Sequence, residues 1–238
     1  MKRWALRLLS GAVIAIAILA VAGWLTVRAS LPQLDGDISV AGLQSTASIE
    51  RDAAGIATIA AANRADLAFA TGFAHGQDRF FQMDTIRRRA AGELAELVGS
   101  VAIDMDKRYR LHRFRSRSEA AVAGLAEPER ELLEHYATGV NAGLDSLGAK
   151  PFEYYLLGAD PEPWLPEDSV LVLYSMFTQL NDSRAIRDVR RGLAHRVLPV
   201  EVYEWMYPQG TSWDAPLMGE ARQVAAIPSA DVYSVRDV

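Results

Sequence analysis

Apolar and polar positions follow three different patterns along the chain, and the first is a continuous apolar run over residues 8–27. A helix of that length measures about 30 Å, which matches the hydrocarbon core of a bilayer. The run therefore predicts a membrane-spanning or signal helix within residues 1–30. Lys2, Arg3 and Arg7 precede it. Basic flanks stay in the cytoplasm, so the rest of the chain is expected on the opposite side of the membrane.

Two interpretations of residues 1–30 stay open. An uncleaved anchor is favoured because the apolar core of a typical signal peptide has only about 7–15 residues. A cleaved signal peptide is the alternative, although residues 27–29 match the usual small-x-small cleavage site poorly. The chain is accordingly expected to be anchored in the inner membrane facing the periplasm, or exported to the periplasm. A buried core helix is disfavoured by the basic N-terminal flank.

Residues 31–62 show the second pattern, a weak alternation that predicts extended structure. Residues 34–40 form one candidate strand, and residues 47–50 and 56–59 form two more. The segment between the last two predicts a hairpin turn, in which Gly55 can adopt a positive φ. An isolated two-stranded hairpin is only marginally stable. These strands are therefore expected to join a sheet that the rest of the chain does not supply.

The third pattern starts at Asn63, from which apolar residues recur at the helical period. Asn63 fits an N-cap, and the helix that follows is predicted to run to about Arg89. Gln77 and Asp84 lie on its apolar face. Buried polar groups need hydrogen bonds, so backbone groups or arginine side chains are their expected partners. The apolar face consists of Leu67, Ala70, Phe73, Ala74, Phe80 and Phe81.

The helical pattern continues beyond this first helix. Residues 150–164 are predicted to be a connection containing Pro and Gly, and residues 208–238 a loop. The expected fold class is mostly α with a short N-terminal β segment, in which residues 63–207 form the helical region. Further helices are predicted over residues 92–99, 104–123, 128–147 and 166–195, with a short one starting at Pro199.

Composition limits the classes of protein and of chemistry. Half of the 238 residues are hydrophobic and 23% are charged, which excludes wholesale disorder and low-complexity architectures. Cysteine is absent, so disulfides, cysteine nucleophiles, iron–sulfur clusters and thiolate zinc sites are excluded. Four of the 25 basic residues, and none of the 30 acidic ones, lie in residues 1–30. The remainder is acidic, which argues against nucleic acid as a partner.

None of the common catalytic motifs occurs in the sequence. There is no G-x-S-x-G elbow, no phosphate-binding G-x-x-x-x-G-K-[ST] loop and no H-E-x-x-H pair. The four histidines share no ligand-like spacing. Arg87, Arg88 and Arg89 could contact lipid headgroups or nucleic acid, but a solvated or salt-bridged helix end is favoured. The residues alone predict no catalytic site and no metal site in this chain.

Several stretches agree with a family pattern that covers most of residues 35–220. The stretch 73–84 reads Phe-Ala-His-Gly-Gln-Asp-Arg-Phe-Phe-Gln-Met-Asp, and chance agreement over such a span is remote. The others are residues 49–56, 87–99, 106–110, 164–168 and 176–182. Together they resemble the α-subunit of the penicillin acylases, in the penicillin amidase family of N-terminal nucleophile hydrolases.

The resemblance implies an αββα fold of which this chain supplies the α-chain part, with residues 31–62 completing the sheet of a separate β-chain. Such enzymes are made as precursors that cut themselves into an α-chain, a spacer and a β-chain. The β-chain begins with the catalytic serine, whose free α-amine acts as general base. The reaction is hydrolysis of the amide of N-acyl compounds, such as β-lactam antibiotics or acyl-homoserine lactones, through an acyl-enzyme.

This chain is expected to contain no catalytic residue of its own. Ser100 is followed by Val101 in a helical stretch, and Ser212 lacks the Gly-Ser junction of a processing site. Residues 208–238 are expected to lead toward the spacer, so the chain is interpreted as an α-subunit or truncated precursor that is inactive without its β-chain. A membrane-tethered, non-catalytic helical interaction module or decoy α-chain is the alternative.

The resemblance also implies that part of the acyl pocket lies on this chain. Family members have a helix here whose apolar side chains contact the acyl group of the substrate. The pattern maps onto Met176, Phe177 and Leu180, which have the i, i+1 and i+4 spacing of one helical face. The alternative is that these three are ordinary core residues.

Calcium is the one cofactor that the resemblance raises. Some relatives have a glutamate on the pocket helix that helps to bind calcium, whereas this chain has Ala185 and Ile186 at that place. Asp182 and Asp188 are the nearest acids. No cofactor is therefore expected in this chain, and calcium is expected at most in the complete enzyme, through ligands that are not evident in this sequence.

Overall fold

The computed structural model describes residues 2–181, 185–234 and 236. These residues are predominantly helical and contain a two-stranded sheet, which confirms the expected fold class. The chain forms two compact units, the first ending at Phe177 and the second beginning at Thr178. In chain order the elements are α1 (Lys2–Ala29), β1 (Ser48–Arg51), β2 (Ala57–Ala60), α2 (Arg64–Ala91), α3 (Leu94–Val98), α4 (Ile103–Arg110), α5 (Phe114–Ala123), α6 (Glu127–Asp145), α7 (Phe152–Leu157), α8 (Pro166–Leu180), α9 (Ile186–Val197) and α10 (Val200–Met206).

Helix α1 is the predicted N-terminal apolar helix. Its 21-residue segment Leu9–Ala29 is long and apolar enough to span a bilayer, and its apolar stretch is exposed, so it is not a core helix. A signal sequence and an anchor are both consistent with it. At its end, the carbonyl oxygen of Ala29 accepts a hydrogen bond from the N–H of Ala149 (3.1 Å), and Ser30 is buried. The helix therefore leads directly into the folded body.

The hairpin pairs β1 with β2 in antiparallel register, with Ile49 opposite Ile59. Gly55 adopts a φ of 77° in the turn, as its position predicts. The prediction of a strand over residues 34–40 is wrong, because that segment has no strand conformation. The described residues provide no neighbouring strand to pair with its backbone groups, and an unpaired extended segment is not a stable sheet element.

Helix α2 begins directly after its predicted N-cap and ends at Ala91, two residues beyond the predicted end at about Arg89. The side chain of Asn63 accepts a hydrogen bond from the N–H of Asp66 (2.8 Å), and Gly92 ends the helix with a left-handed φ of 74°. The backbone at Arg79 is non-helical, which bends α2 within its length. Helices α3, α6 and α10 also form close to their predicted positions, the last of them directly after Pro199.

The prediction of one helix over residues 104–123 is wrong, since α4 and α5 are separated by a turn in which Arg113 is left-handed, with a φ of 54°. The turn between α4 and α5 allows each helix to make its own tertiary contact. Asp106 of α4 accepts hydrogen bonds from two backbone N–H groups at the start of α3 (3.0 and 2.7 Å), while Phe114 of α5 is buried in the core. These contacts outweigh the modest propensity for a continuous helix.

Residues 166–195 likewise form α8 and α9 rather than one helix. Ala185, just before α9, has a φ of 46°, and a left-handed residue cannot continue a right-handed helix. The predicted connection over residues 150–164 contains the additional helix α7. Its Tyr154 is fully buried, with its ring edge-on to that of Phe81 at 5.3 Å, so core packing explains this short helix.

Helices α2 and α6 form the central pair of the first unit, and glycines allow their backbones to touch. The contact is lined by Gly72 and Gly76 of α2 and by Gly139 and Gly143 of α6. A Cβ atom at any of the four would overlap a backbone carbonyl oxygen of the facing helix. Contacting positions increase together along both helices, so the two run in the same direction. Because the obstruction is backbone, a larger residue would force the helices apart.

A buried ionic network ties α2 to the rest of the first unit. Asp84 is fully buried, and its Oδ1 accepts hydrogen bonds from the Nε atoms of Arg87 (2.8 Å) and Arg88 (2.9 Å). Its Oδ2 accepts one from the hydroxyl of Tyr154 (2.6 Å). Gln77 donates to a serine hydroxyl just after α6 (2.9 Å). These bonds confirm that the polar residues on the apolar face of α2 are hydrogen-bonded.

Asp168, in the first turn of α8, is the second carboxylate of the network and is also fully buried. It accepts hydrogen bonds from Arg87 (2.5 Å), from Arg115 of α5 (2.6 Å) and from the backbone N–H of Leu165 (2.8 Å). Arg87 also donates to two backbone carbonyl groups in the connection before α8. With Arg87 and Arg88 both buried, the arginine run is a salt-bridged helix end. The core ionic network consists of Asp84, Arg87, Arg88, Arg115, Tyr154 and Asp168.

Burial also determines the protonation states in this network. Burial raises the pKa of the Tyr154 phenol, and the neighbouring Asp84 carboxylate raises it further, so the hydroxyl stays protonated and donates. Burial by itself lowers the pKa of Arg115, but hydrogen bonds to Glu93 and Asp168 outweigh that effect and raise it. Neither group titrates near neutral pH, which indicates a structural network rather than an acid–base site.

Replacing Gly139 with alanine should destabilise the first unit. The added Cβ would overlap the carbonyl oxygen of Phe69, and separating the two helices is expected to cost about 1–3 kcal/mol. Thermal unfolding followed by circular dichroism measures the effect. Gly192→Ala in α9 is the matched control, because no atom lies within 4 Å of that Cβ position. The control should keep or raise the melting temperature, and equal midpoints for the two variants would contradict the backbone contact.

Asp168→Asn should destabilise the chain by about 1.5–3 kcal/mol, because it removes the buried carboxylate shared by Arg87 and Arg115 and leaves them only Asp84 and Glu93 respectively. Asparagine keeps the shape of the side chain, so the loss reports the charge. Asp160→Asn is the control, since the carboxylate that pairs with Lys150 is exposed, and its removal is worth at most about 1 kcal/mol. Urea unfolding compares the two variants, and similar small losses in both would argue against the network as a major source of stability.

Candidate functional site

Helix α8 has a buried side and an exposed apolar side. Leu171 and Ser175 are buried against α2 and α5. Met176 and Phe177, at the end of the first unit, are 52% and 55% exposed, and Leu180, in the second unit, is 77% exposed. The three predicted pocket residues therefore lie on one helix and are not core residues of this chain. Their contact with substrate stays a prediction.

Leu173 is a further member of this surface that the sequence analysis missed. It is 58% exposed and lies three residues before Met176, which places both on one side of a helix. The sequence already indicated Leu173, because an apolar residue three or four positions from Met176 lies on the same side of the helix. The α8 apolar face is defined by Leu173, Met176 and Phe177.

Arg89 holds α8 at the residue before Met176. Its guanidinium donates a hydrogen bond to the hydroxyl oxygen of the buried Ser175 (2.7 Å). The Nε of Arg89 is buried and has no hydrogen-bond partner among the described residues. Leaving a buried donor unsatisfied costs about 1–3 kcal/mol. The arrangement thus gives the α8 apolar face a fixed point of attachment to α2 at some loss of stability.

A groove of about 490 Å³ lies between α2, α6 and α8. The Nδ1 atom of His75 lies 2.8 Å from the hydroxyl oxygen of Tyr136. Burial raises the pKa of Tyr136 to about 12. Burial also lowers the pKa of His75, against the opposing effect of the Asp78 carboxylate, so the pair is uncharged at neutral pH. Residues lining the groove include His75, Arg79, Met83, Tyr136, Trp164 and Val172.

The sequence analysis did not find this groove. Its residues come from three helices that are far apart in the chain, so no single stretch shows a pattern. The bend of α2 at Arg79 was likewise not predictable from the sequence, because neither that position nor its direct neighbours are Gly or Pro. The one available signal was the position of His75 inside the stretch 73–84 that resembles the family.

The structure places the two serines considered in the sequence analysis, and the absence of a catalytic residue from this chain stays a prediction. Ser100 opens a 3-10 turn, Ser100–Ala102, after a left-handed Gly99 with a φ of 79°. Ser212 lies in the irregular segment after α10.

Potential metal ligands do not cluster in the part of the chain that the structure describes. No group of three or more His, Cys, Asp or Glu residues there could hold a metal ion. Asp188 lies in the first turn of α9, and the left-handed Ala185 precedes that helix. Asp182 lies outside the described residues. Calcium in the complete enzyme stays a prediction.

A protein family and several individual proteins are similar in sequence to this chain. Residues 46–222 match the penicillin amidase family. Penicillin acylase 2 proenzyme of Pseudomonas sp. (strain SE83) is 40% identical over 146 residues, which cover 61% of this chain and 19% of that protein. Acyl-homoserine lactone acylase QuiP of Pseudomonas aeruginosa is 37% identical over 158 residues, covering 66% of this chain and 18% of that protein. Penicillin G acylase of Escherichia coli is 30% identical over 141 residues, covering 57% and 17% respectively.

The chain spans about a fifth of the length of these relatives. Among solved structures, the thermostable penicillin G acylase from Alcaligenes faecalis matches with a TM-score of 0.57 at 23% identity, over 74% of this chain and 98% of the matched chain. That likeness shows the fold. Family members are proenzymes processed into α and β chains, and the matched portion is comparable to the α-subunit. The chain therefore belongs to the penicillin amidase family of N-terminal nucleophile hydrolases.

Proposed function

We propose that this chain is the α-subunit, or the α-part of an unprocessed precursor, of an amidohydrolase that cleaves the linear amide bond of N-acyl compounds. The observation that carries the proposal is the α8 apolar face. It is more than half exposed, and the opposite side of its helix is held by Asp168 in the core ionic network and by Arg89 through Ser175. An apolar surface on a rigid support suits the wall of an acyl-binding pocket.

The chemical steps belong to a β-chain in this proposal. The hydroxyl oxygen of its N-terminal serine attacks the amide carbonyl carbon, and the α-amine of that serine takes the hydroxyl proton and passes it to the departing amine. Water then hydrolyses the resulting ester and releases the acid. The α-subunit supplies no group to these steps. Its contribution is to bind the acyl group, which positions the carbonyl carbon for attack.

The hairpin supports the proposal of a β-chain partner. Within the described residues it forms a sheet of only two strands, β1 and β2. A sheet that small is marginal in water, and its free backbone edges can pair with further strands. We therefore assign residues 31–62 the role of extending a sheet of the β-chain.

The proposed substrates have an apolar acyl group. Leu173, Met176 and Phe177 offer aliphatic, thioether and aromatic contacts on one surface, and the flexible methionine can adapt to acyl groups of different shape. The relatives are named as penicillin acylases and acyl-homoserine lactone acylases. We therefore propose the acyl side chains of β-lactam antibiotics, acyl-homoserine lactones or similar N-acyl compounds as the substrate class.

We also propose that α1 stays attached as an anchor, with the body on the periplasmic side of the inner membrane. Its apolar segment is longer than the core of a typical signal peptide, and its basic residues precede it. Its last residue is held by the hydrogen bond from Ala149 to Ala29. This contact makes the end of the helix part of the folded body.

Co-expression with a matched β-chain should produce amide hydrolysis that this chain alone does not show. The assay is release of the chromophore from phenylacetyl and long-acyl anilides, with a boiled sample as control. Turnover by the chain alone that is abolished by Ser100→Ala would overturn the assignment of the nucleophile to a β-chain. A stable complex without turnover on any acyl anilide would favour the non-catalytic interaction module or decoy.

In the active complex, Phe177→Ala should shift substrate preference toward bulkier or longer acyl groups. An apolar pocket discriminates by about 1–3 kcal/mol per methylene, so the ratio of kcat/KM for long to short acyl groups should rise about tenfold or more. Leu156→Ala is the control, because it truncates an exposed apolar side chain on α7, away from the α8 apolar face. It should leave the ratio of kcat/KM values unchanged. A uniform loss of activity on short, aromatic and long acyl amides after Phe177→Ala would show that this residue does not line the acyl pocket.

A further inference from the structure

Helix α9 differs in charge from the rest of the chain. The whole sequence has a net charge of −5. The twelve residues of α9 include a single acid, Asp188, and none of the twelve is buried. Its arginines are Arg187, Arg190, Arg191 and Arg196.

An apolar stripe runs along one side of α9. Val189, Leu193 and Val197 are 65%, 60% and 68% exposed. At about 100° per residue, these three fall within an arc of about 80°. The same geometry places Arg190 directly beside the stripe on one side and Arg196 directly beside it on the other. The stripe is thus apolar in the middle and cationic along both borders.

The other side of α9 makes two aromatic contacts with residues of its own unit. The ring of His195 meets the ring of Tyr203 in α10 edge-on, with 4.8 Å between the centroids. The guanidinium of Arg191 lies over the ring of Tyr207, 5.6 Å from its centroid. Both residues lie roughly opposite the stripe on the helix. Packing against α10 therefore orients α9 so that the stripe points away from it.

We propose that α9 lies in the surface of a bilayer that contains anionic lipid. Val189, Leu193 and Val197 reach the acyl-chain boundary, while Arg190 and Arg196 extend sideways to lipid phosphate groups. This is the arrangement by which amphipathic helices with arginine borders bind membrane interfaces. The proposal does not depend on the proposed hydrolase activity, because it rests on the charge and exposure of α9 and on the proposed anchoring of the chain by α1.

The observations favour a lipid surface over a protein partner. A phosphate-rich surface is complementary to both arginine borders at once, and each basic residue near it strengthens binding about fivefold, equivalent to about 1 kcal/mol. Helix α1 adds a second argument, since a chain that is already tethered to a bilayer presents α9 to lipid at high effective concentration. A twelve-residue helix with weak intrinsic affinity is then sufficient.

Fluorescent labelling at single cysteines tests the proposal on the full chain, because the native sequence has no cysteine. Leu193→Cys places an environment-sensitive fluorophore on the stripe. Gly192→Cys places it on the adjacent polar side, where no atom lies within 4 Å, and Val101→Cys provides an exposed site on the first unit. Each labelled chain is inserted through α1 into vesicles that contain a quencher on the lipid chains. The vesicles are made of phosphatidylcholine alone or of equal parts of phosphatidylcholine and phosphatidylglycerol.

The expected result is strong quenching at residue 193, weaker quenching at 192 and little at 101, in the vesicles with phosphatidylglycerol. Replacing Arg190 and Arg196 with glutamine should lower the docked fraction severalfold, and salt should do the same by screening. Arg130→Gln on α6 is the matched control and should have no effect. Far-ultraviolet circular dichroism of each variant checks that the overall helix content is unchanged.

Three outcomes would overturn the proposal. Equal quenching at residues 193 and 101 would mean that the stripe is not at the membrane. Equally strong quenching at residue 193 in vesicles without phosphatidylglycerol would show that binding does not require anionic lipid. Protection of the 193 fluorophore by the β-chain, in a lipid-free complex, would identify the stripe as a subunit interface instead.

Discussion

The first unit depends on a single guanidinium that joins two buried carboxylates. Arg87 bonds to Asp84 on its own helix and to Asp168 at the start of α8. Burying charges is favourable only when every partner is satisfied, since the desolvation of an unpaired ion costs several kcal/mol. The two carboxylates are satisfied by Arg88, by Arg115 and by the hydroxyl of Tyr154. This requirement positions four helices, because α2, α5, α7 and α8 each supply one or more of the partners.

The exposed side of α8 follows from this constraint. Its buried side consists of Asp168, Leu171 and Ser175, with Val172 and Tyr174 half-buried against the core, while Leu173, Met176 and Phe177 are left exposed. A helix that is apolar on two sides is normally buried on both. The structure therefore divides α8 between an internal role, which anchors it, and an external role, which our proposal assigns to substrate binding next to a β-chain.

Local rules predicted those parts of the fold that local chemistry controls. Asn63 predicted the start of α2, although the end was predicted slightly early, at about Arg89 rather than Ala91. The presence of Asp84 on an apolar face correctly required arginine or backbone partners. The breaks after Arg110 and Leu180 were missed, because left-handed Arg113 and Ala185 carry no glycine or proline signal. The four glycines between α2 and α6 were also missed, since their meaning appears only when two distant segments touch. For the same reason, the groove around His75 and Tyr136 had no signature in any one stretch, whereas the predicted pocket residues on α8 came from a family resemblance within a single helix.

The hydrogen bond between Ala149 and Ala29 has a mechanical consequence. A transmembrane helix usually connects to its domain through a linker, which lets the domain tumble. Here the last residue of α1 is already held by the body, and Ser30 is buried directly after it. Where α1 stays in a bilayer, the body therefore keeps a restricted tilt and height above the lipid. Under the function that we propose, substrates that partition into the membrane would then reach the α8 apolar face by a two-dimensional search.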